Sequence, residues 1–456
     1  MSDMEGSHLN GAVLAGGTVV TGGTEPRVIH DGAVSFREGR IESVGSAADV
    51  VADAAGYDVL DTTGKLVMPG LVNAHTHLYS TLARALVADL EPSSDFVGIL
   101  EHLWWRLDKA LTGEDVRLSA AAGAVDLLRN GTTTIVDHHA SQTAVDGSLS
   151  QVADALSEIG LRANLCFETS DRHGRDARDA GLEENLRFAR ETSDDGGCSG
   201  APMLTASVGL HASFTLEDET LDRASEMARG LGVGCHIHVA EDVADVKDSL
   251  ERSGRRVVER LESHGILGPR TIAAHCIHVD GREVEILRDT GTIVVHNPES
   301  NMNNAVGCTD VGALLDEGVL VGLGTDGFSP SMFDEMKVAN LVHRDRAGDP
   351  RVGHDYAGRL CLDGNGEITE RLFGERLGEL RPEAAADIVV LDYDPPTPVA
   401  GENFVGHVIF GLTGWMVEAV IVDGRQVVRN REVLTLDARN VMASARERAR
   451  ELWSRM

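Results

Sequence analysis

Eight apolar runs alternate with helix-like segments through the middle of this chain, and residues suited to chemistry stand at their ends. The runs cover residues 65–74, 133–138, 162–168, 205–210, 232–238, 271–275, 292–296 and 319–325. Strand-like runs separated by helices imply a parallel sheet, because a parallel connection needs a crossover to bring the chain back. One intervening segment carries clear helix signals: Thr112-Gly113-Glu114-Asp115 is a capped start and Gly131 a stop. Eight such units predict a (β/α)8 barrel of the TIM type, with its active site at the carboxyl ends of the strands.

The flanking segments have a different pattern. Residues 10–64 read as short strands with turns, including a hairpin over 32–45 that turns at Glu38-Gly39. Residues 387–392 and 419–428 are also strand-like. The expectation is an α/β protein with a barrel at 65–380. A small β-sandwich domain is built from both chain ends (1–64 and 381–436), and a terminal amphipathic helix covers 437–456.

Composition narrows the setting. At 456 residues, with 42% hydrophobic residues and 50 glycines, the chain can bury a large core and make many turns. No apolar run reaches the roughly 18 residues of a transmembrane helix. The start, Met1-Ser2-Asp3-Met4-Glu5-Gly6, lacks the basic and apolar regions of a signal peptide. The six cysteines are scattered without a CxxC, which argues for a reducing cytoplasm and against disulfides. A net charge of −32 argues against nucleic acid or an anionic membrane as partner. Only four of the 41 basic residues are lysine. An acidic, lysine-poor surface suits a halophilic cytoplasm, where salt screens self-repulsion; a GC-rich genome, which favours Arg over Lys, is the alternative reading. A homodimer or higher homo-oligomer is the expected assembly.

The strand ends carry the chemistry. His75-Thr76-His77 closes the first run, and strand alternation puts both imidazoles on one face. His236-Ile237-His238 repeats the device, and Asp326 follows the last run. His75, His77, His238 and Asp326 make a mixed N/O set for one divalent ion, Zn or Fe, with room for a water. Taken alone, Asp326 also reads as a helix cap. Glu241, three residues after His238, can fold over that water and pass its proton to a leaving amine; alone, it also reads as an exposed helix-start residue. His275 can hydrogen-bond the attacking oxygen, whereas His278 reads as structural. His211, Glu168 and Arg172 read as substrate-facing, as do Asn297, Ser300, Asn301 and Asn304 around His296. Trp104, Trp105 and Arg106 suit either a lid over a flat heterocycle or the core. Asp137, His138 and His139 read as support around the site. No lysine occurs between Lys109 and Lys247, so the carboxylated lysine that bridges two metals in some barrel hydrolases has no candidate, and a single-metal site follows unless a glutamate bridges.

These motifs together resemble the amidohydrolase superfamily, in the branch holding guanine and cytosine deaminases and triazine hydrolases. The resemblance rests on Met68-Pro69-Gly70-Leu71-Val72-Asn73-Ala74-His75-Thr76-His77, His236-Ile237-His238-Val239-Ala240-Glu241, Ala274-His275-Cys276, His296-Asn297-Pro298-Glu299-Ser300-Asn301-Met302 and Gly324-Thr325-Asp326-Gly327. A closer similarity, to SsnA-like aminohydrolases, rests on Leu103-Trp104-Trp105-Arg106-Leu107-Asp108, Asp137-His138-His139-Ala140-Ser141, Cys166-Phe167-Glu168-Thr169-Ser170-Asp171-Arg172 and Phe333-Asp334-Glu335-Met336-Lys337. The resemblance implies a mononuclear Zn or Fe site that hydrolyses C–N bonds in heterocycles, with Glu241 and His275 handling protons. Asn303-Asn304 departs from the family, where many relatives carry a lysine after the Met. The expected function is a metal-dependent aminohydrolase that releases ammonia from an aminated, purine- or pteridine-like ring. Hydrolysis of a cyclic amide or a halogenated ring at the same site is the nearer alternative, and a non-catalytic metal-binding protein the more distant one.

Overall fold

The computed structural model describes residues 9, 11–23, 25–87, 90, 92–192 and 197–456. The chain opens with β1 (Ala12–Val20), β2 (Val28–Arg37), β3 (Arg40–Ser46), β4 (Asp58–Asp61) and β5 (Leu66–Pro69). The hairpin of β2 and β3 turns where expected: Glu38 and Gly39 have φ of 48° and 75°, as a tight two-residue turn requires. The run expected as one strand over 65–74 breaks at Gly70. Its first part, β5, pairs with β1 in the end sheet, and its second part, β6 (Leu71–Thr76), pairs with a barrel strand. The break has a steric cause. A Cβ on Gly70 would fall 2.1 Å from Thr133 Oγ1, so only glycine passes from one layer to the other.

The barrel strands follow. One parallel sheet comprises β6, β7 (Thr132–His139), β8 (Arg162–Phe167) and β9 (Leu204–Ala206). The other comprises β10 (Val208–Ala212), β11 (Cys235–Val239), β12 (Ile272–His275), β13 (Ile293–His296) and β14 (Val321–Leu323). Each of the eight runs read from the sequence contributes a strand, and the α/β order is that of the TIM-barrel fold. The fourth run splits at Ser207 into β9 and β10, so the strands form two arcs. At one seam Thr169 bridges Leu210; at the other Thr76 bridges Asp326 and the Thr325 amide donates to His75 O at 2.9 Å. A Cβ on Gly209 would meet Phe167 O at 2.2 Å, so glycine is needed at the first seam. Asn365 stitches the second: its amide donates to Val72 O (2.7 Å) and Leu323 O (2.9 Å), and its oxygen accepts from Leu323 N (2.8 Å). Ala74, Val136, Ile272, Ile293, Val295 and Ile368 form one buried apolar cluster.

The chain then returns to the end sheet with β15 (Ile388–Leu391), β16 (Val417–Val422), β17 (Arg425–Arg429) and β18 (Glu432–Val433). β15 pairs antiparallel with β5, joining both chain ends. The expected β-sandwich needs correction on this point: the strands lie along a single nine-stranded hydrogen-bonded sheet. Ala12, Leu14, Val34, Phe36, Ile41, Val67, Ile388 and Ile421 nonetheless share one core, so the sheet curls around its own apolar side chains. Arg162, fully buried at the start of β8, ties barrel to sheet by reaching Asp387 (3.3 Å) and Asp423 (3.5 Å). The terminal helix forms over Ala438–Trp453 and docks on the helix Gly113–Arg129, where Arg448 Nε meets Asp115 Oδ1 at 2.6 Å. Thr112 caps that second helix as its sequence suggests. Among the described residues no helix is long and apolar enough to cross a membrane.

Candidate active site

His77 and His238 are buried at the ends of β6 and β11, and their Nε2 atoms face each other at 3.2 Å. Their other nitrogens fix the tautomer. His77 Nδ1 lies 2.6 Å from His138 O and His238 Nδ1 lies 2.8 Å from His211 O. A carbonyl only accepts, so both Nδ1 atoms carry the proton and both Nε2 atoms present lone pairs. At 3.2 Å the two Nε2 atoms can share a proton or hold a metal ion between them. His75 Nε2 joins them: it is buried without a hydrogen-bond partner, and its ligand atom lies within 4.8 Å of those of His77 and His238.

Asp326 Oδ1 lies 3.0 Å from His77 Nε2 and 3.7 Å from His75 Nε2. Burial opposes charge on His77, but the Asp326 carboxylate outweighs it and lifts the imidazole to about 9. Burial prevails at His75, which falls to about 3. Burial also opposes ionisation of Asp326, yet its contacts with His75 and His77 hold it well below the usual carboxylate range. A buried site that drives a proton onto His77 beside a carboxylate is one that accepts a cation there. The donor set therefore fits a divalent metal.

Glu241 and His275 face the same point from the side. His275 Nε2 is 3.5 Å from Glu241 Oε2 and 3.7 Å from Asp326 Oδ2. His275 Nδ1 meets Asn301 Oδ1 at 2.7 Å, which leaves Nε2 turned toward the carboxylates without a partner. Burial pushes the Glu241 carboxyl up to about 7 against the pull of His275, near the range in which a general base works. Ser300 Oγ donates to Asp326 Oδ2 at 2.6 Å, and Asn304 Nδ2 approaches Glu241 Oε1 at 3.5 Å.

A cleft open to solvent leads to this point. His77, Trp105, Glu168, His211, His238, Glu241, Ser300, Asn304 and Asp326 all line it. Arg172 takes a different position. Its guanidinium is tied behind the wall by Glu168 (2.8 Å) and Asp108, 5.4 Å from the Trp105 ring centre. Asn301 holds His275 instead of facing the cleft, and Asn297 is fully buried. Asp137 accepts the Leu78 amide at 2.7 Å, His139 Nε2 meets Ser141 Oγ at 2.9 Å, and His138 Nδ1 lies 3.5 Å from Glu168. His278 Nε2 meets Val306 O at 3.0 Å, as a structural histidine would. Sequence reasoning missed three residues. His236 Nε2 meets His75 Nδ1 at 2.8 Å; its place in the second HxH was the available signal. Asp108 closes the Leu103–Asp108 motif but has no role assigned from it, and Asp245 gives no signal, although it accepts the Phe214 and Ala240 amides, both at 2.9 Å, beneath the Glu241 loop.

A family model described as the amidohydrolase family matches residues 66–427, from β5 into β17. The chain belongs to the amidohydrolase family. It is similar to the 5-methylthioadenosine/S-adenosylhomocysteine deaminase of Pelotomaculum thermopropionicum, at 32% identity over 447 residues, 97% of this chain and 99% of the relative. It is also similar to the 5'-deoxyadenosine deaminase of Methanopyrus kandleri, at 33% identity over 449 residues, 97% of this chain and 99% of the relative. Among solved structures, a zinc-bound adenosine deaminase from Xanthomonas campestris superposes with a TM-score of 0.85 at 25% identity, covering 98% of this chain and 99% of that one. The resemblance drawn from the motifs thus holds at the level of this family, and its relatives carry deaminase names.

Proposed function

We propose that this amidohydrolase is a single-metal aminohydrolase that removes the exocyclic amine of an adenosine-like nucleoside, leaving an oxo-purine and ammonia. The observation that carries the reading is the pair Glu241 and His275, aimed at the point on which His75, His77, His238 and Asp326 converge. A zinc or iron ion held by those four would supply Lewis-acid activation of water. Glu241 takes the water's proton and delivers it to the ring nitrogen beside the amine-bearing carbon, and a second transfer lets ammonia leave. His275 and Asp326 hold the attacking oxygen in line. Trp105 and His211 flank the ring, and His236 orients His75. Six carboxylates line the cleft (Asp108, Glu168, Glu241, Asp242, Asp245, Asp326), with no lysine or arginine among the described lining residues, which favours a neutral nucleoside over a phosphorylated one.

The test is a panel of 6-aminopurine nucleosides, free aminopurines, pterins and nucleoside 5'-phosphates, with ammonia detection and ultraviolet spectra. Ammonia release with an intact ring from the nucleosides, and little from the phosphates, is expected. Chloride release or ring opening without ammonia would replace this reading. In the same site, His236→Ala is expected to weaken metal affinity about 10–100-fold, as loss of a supporting hydrogen bond to a ligand does. Competition against a chelator reads it directly, and an unchanged affinity would mean that His75 needs no such support.

The barrel (65–380), the two parts of the end sheet (1–64 and 381–436) and the helix 437–456 are read as the working units, in a cytoplasmic homodimer or larger assembly. Sedimentation velocity tests the assembly. A halophilic setting belongs to the same proposal. With a net charge of −32, diluting salt from molar to about 0.01 M lengthens the Debye length from about 3 to about 30 Å, so repulsion acts across the whole surface. The melting temperature should fall as KCl is diluted at fixed pH and metal; a flat or rising series would remove the halophile inference.

A further inference from the structure

A second group of metal-binding side chains lies outside the cleft. His296 ends β13, His343 comes from the helix Met332–Ala347, and Cys308 lies in the loop between them. Their ligand atoms lie within 4.8 Å of one another. His296 and His343 are buried, with Nε2 atoms 3.2 Å apart, the same separation as in the His77–His238 pair. The His296 tautomer is fixed. Thr309 Oγ1 donates to His275 O at 2.7 Å, so at 3.2 Å it accepts from His296 Nδ1. His296 Nε2 therefore presents a lone pair to His343. Cys308 Sγ lies 3.9 Å from His343 Nδ1 and 3.5 Å from Thr309 O. Burial pushes the Cys308 thiol up against the nearby Arg346 charge; Arg346 donates to Cys308 O at 2.7 Å, and Asp310 lies 3.7 Å from the same guanidinium. Cys308 is half-buried, so the cluster opens to solvent on its sulfur side.

We propose that His296, Cys308 and His343 form a second metal site, separate from the barrel mouth, for Zn²⁺ or another thiophilic divalent ion. Two imidazoles and a thiolate are the donor set such ions select, and the open side leaves a fourth position for water. On binding, the Cys308 S–H bond breaks, its proton goes to solvent and an S–metal bond forms; nothing is oxidised. The site is exchangeable, since it has three protein donors and an open face. A short hydrogen-bonded chain links this cluster to the barrel mouth: His296 holds Thr309, and Thr309 holds the carbonyl of His275.

Cobalt tests this without reference to activity. Cysteine is absent from the barrel-mouth donor set, so a thiolate-to-Co²⁺ charge-transfer band in the near ultraviolet reports an ion bound elsewhere. Full-length protein dialysed against chelator and titrated with Co²⁺ should develop this band and bind two ions per chain. Cys308→Ser should abolish the band and reduce binding to one ion, and His343→Gln should weaken the band strongly. Cys198→Ser, at an exposed cysteine, should leave it intact. Absence of the band at saturating Co²⁺, or its survival in Cys308→Ser, would overturn the proposal. The band depends in no way on the barrel-mouth ion, so failure of the functional reading above leaves this test standing.

Discussion

Glu241→Gln is expected to keep its fold and its barrel-mouth metal and to lose about 10²–10⁴-fold in kcat, the usual worth of a positioned general acid–base. Glutamine preserves the shape of the side chain and its contact with Asn304, but it carries no proton between water and leaving amine. Among the described residues Glu241 makes no hydrogen bond or ion pair with the four proposed ligands; its neighbours are His275 and Asn304. Metal content should therefore match the parent. The decisive comparison is single-turnover rate against metal stoichiometry. A loss of turnover that tracks a loss of metal would make Glu241 a structural support, and near-normal turnover would require another base.

Stripping the barrel-mouth ion is the second large effect. Activity should fall to background and return when Zn²⁺ or Fe²⁺ is restored. Stability should fall as well, because the apo site leaves the His75 Nε2 nitrogen unpartnered in a water-poor interior and loses the ion that ties the four side chains together. Each hundredfold excess of free ion over its dissociation constant is worth about 2.7 kcal/mol to the folded state. The melting temperature should thus rise with added metal in the parent protein, and the rise should shrink in His238→Ala. A melting temperature indifferent to metal in the parent would remove the four-ligand centre. Cys308→Ser serves as background for this experiment, so that only the barrel-mouth ion is read.

The sequence made the barrel legible because its signal is local and repeated. Each strand is an apolar run, each return a helix, and the residues at the carboxyl ends come together whatever their distance along the chain. His75, His77, His238, Glu241, His275 and Asp326 could be singled out for that reason. The break at Gly70 was hidden because Pro69-Gly70 sits inside an uninterrupted apolar run, and only the neighbouring Thr133 makes it a crossing. The single end sheet was also hidden, since β5 meets β15 across more than three hundred residues and no local pattern encodes such pairing. Arg172 reads as substrate-facing from its place after the third run, but Asp108, 64 positions earlier on the helix Trp105–Ala110, captures its guanidinium, and no local pattern encodes that packing. Polar residues at strand ends can be listed from sequence; whether one faces substrate or holds its neighbour is decided by packing.

The crossing at Gly70 also sets a rule for how this chain can vary. β6 is clamped at its start, where Gly70 slips past Thr133, and at its end, where His75 O takes the amides of Thr325 and Asp326. His75 sits at the second clamp and His77 two residues beyond it. Adding or deleting one residue after Gly70 would turn both imidazoles toward the outer layer while leaving composition almost untouched. Surface loops between the barrel units can lengthen or shorten freely, whereas the short path from Gly70 to His77 has a fixed count, and the spacing itself is as much a part of the active site as the two histidines.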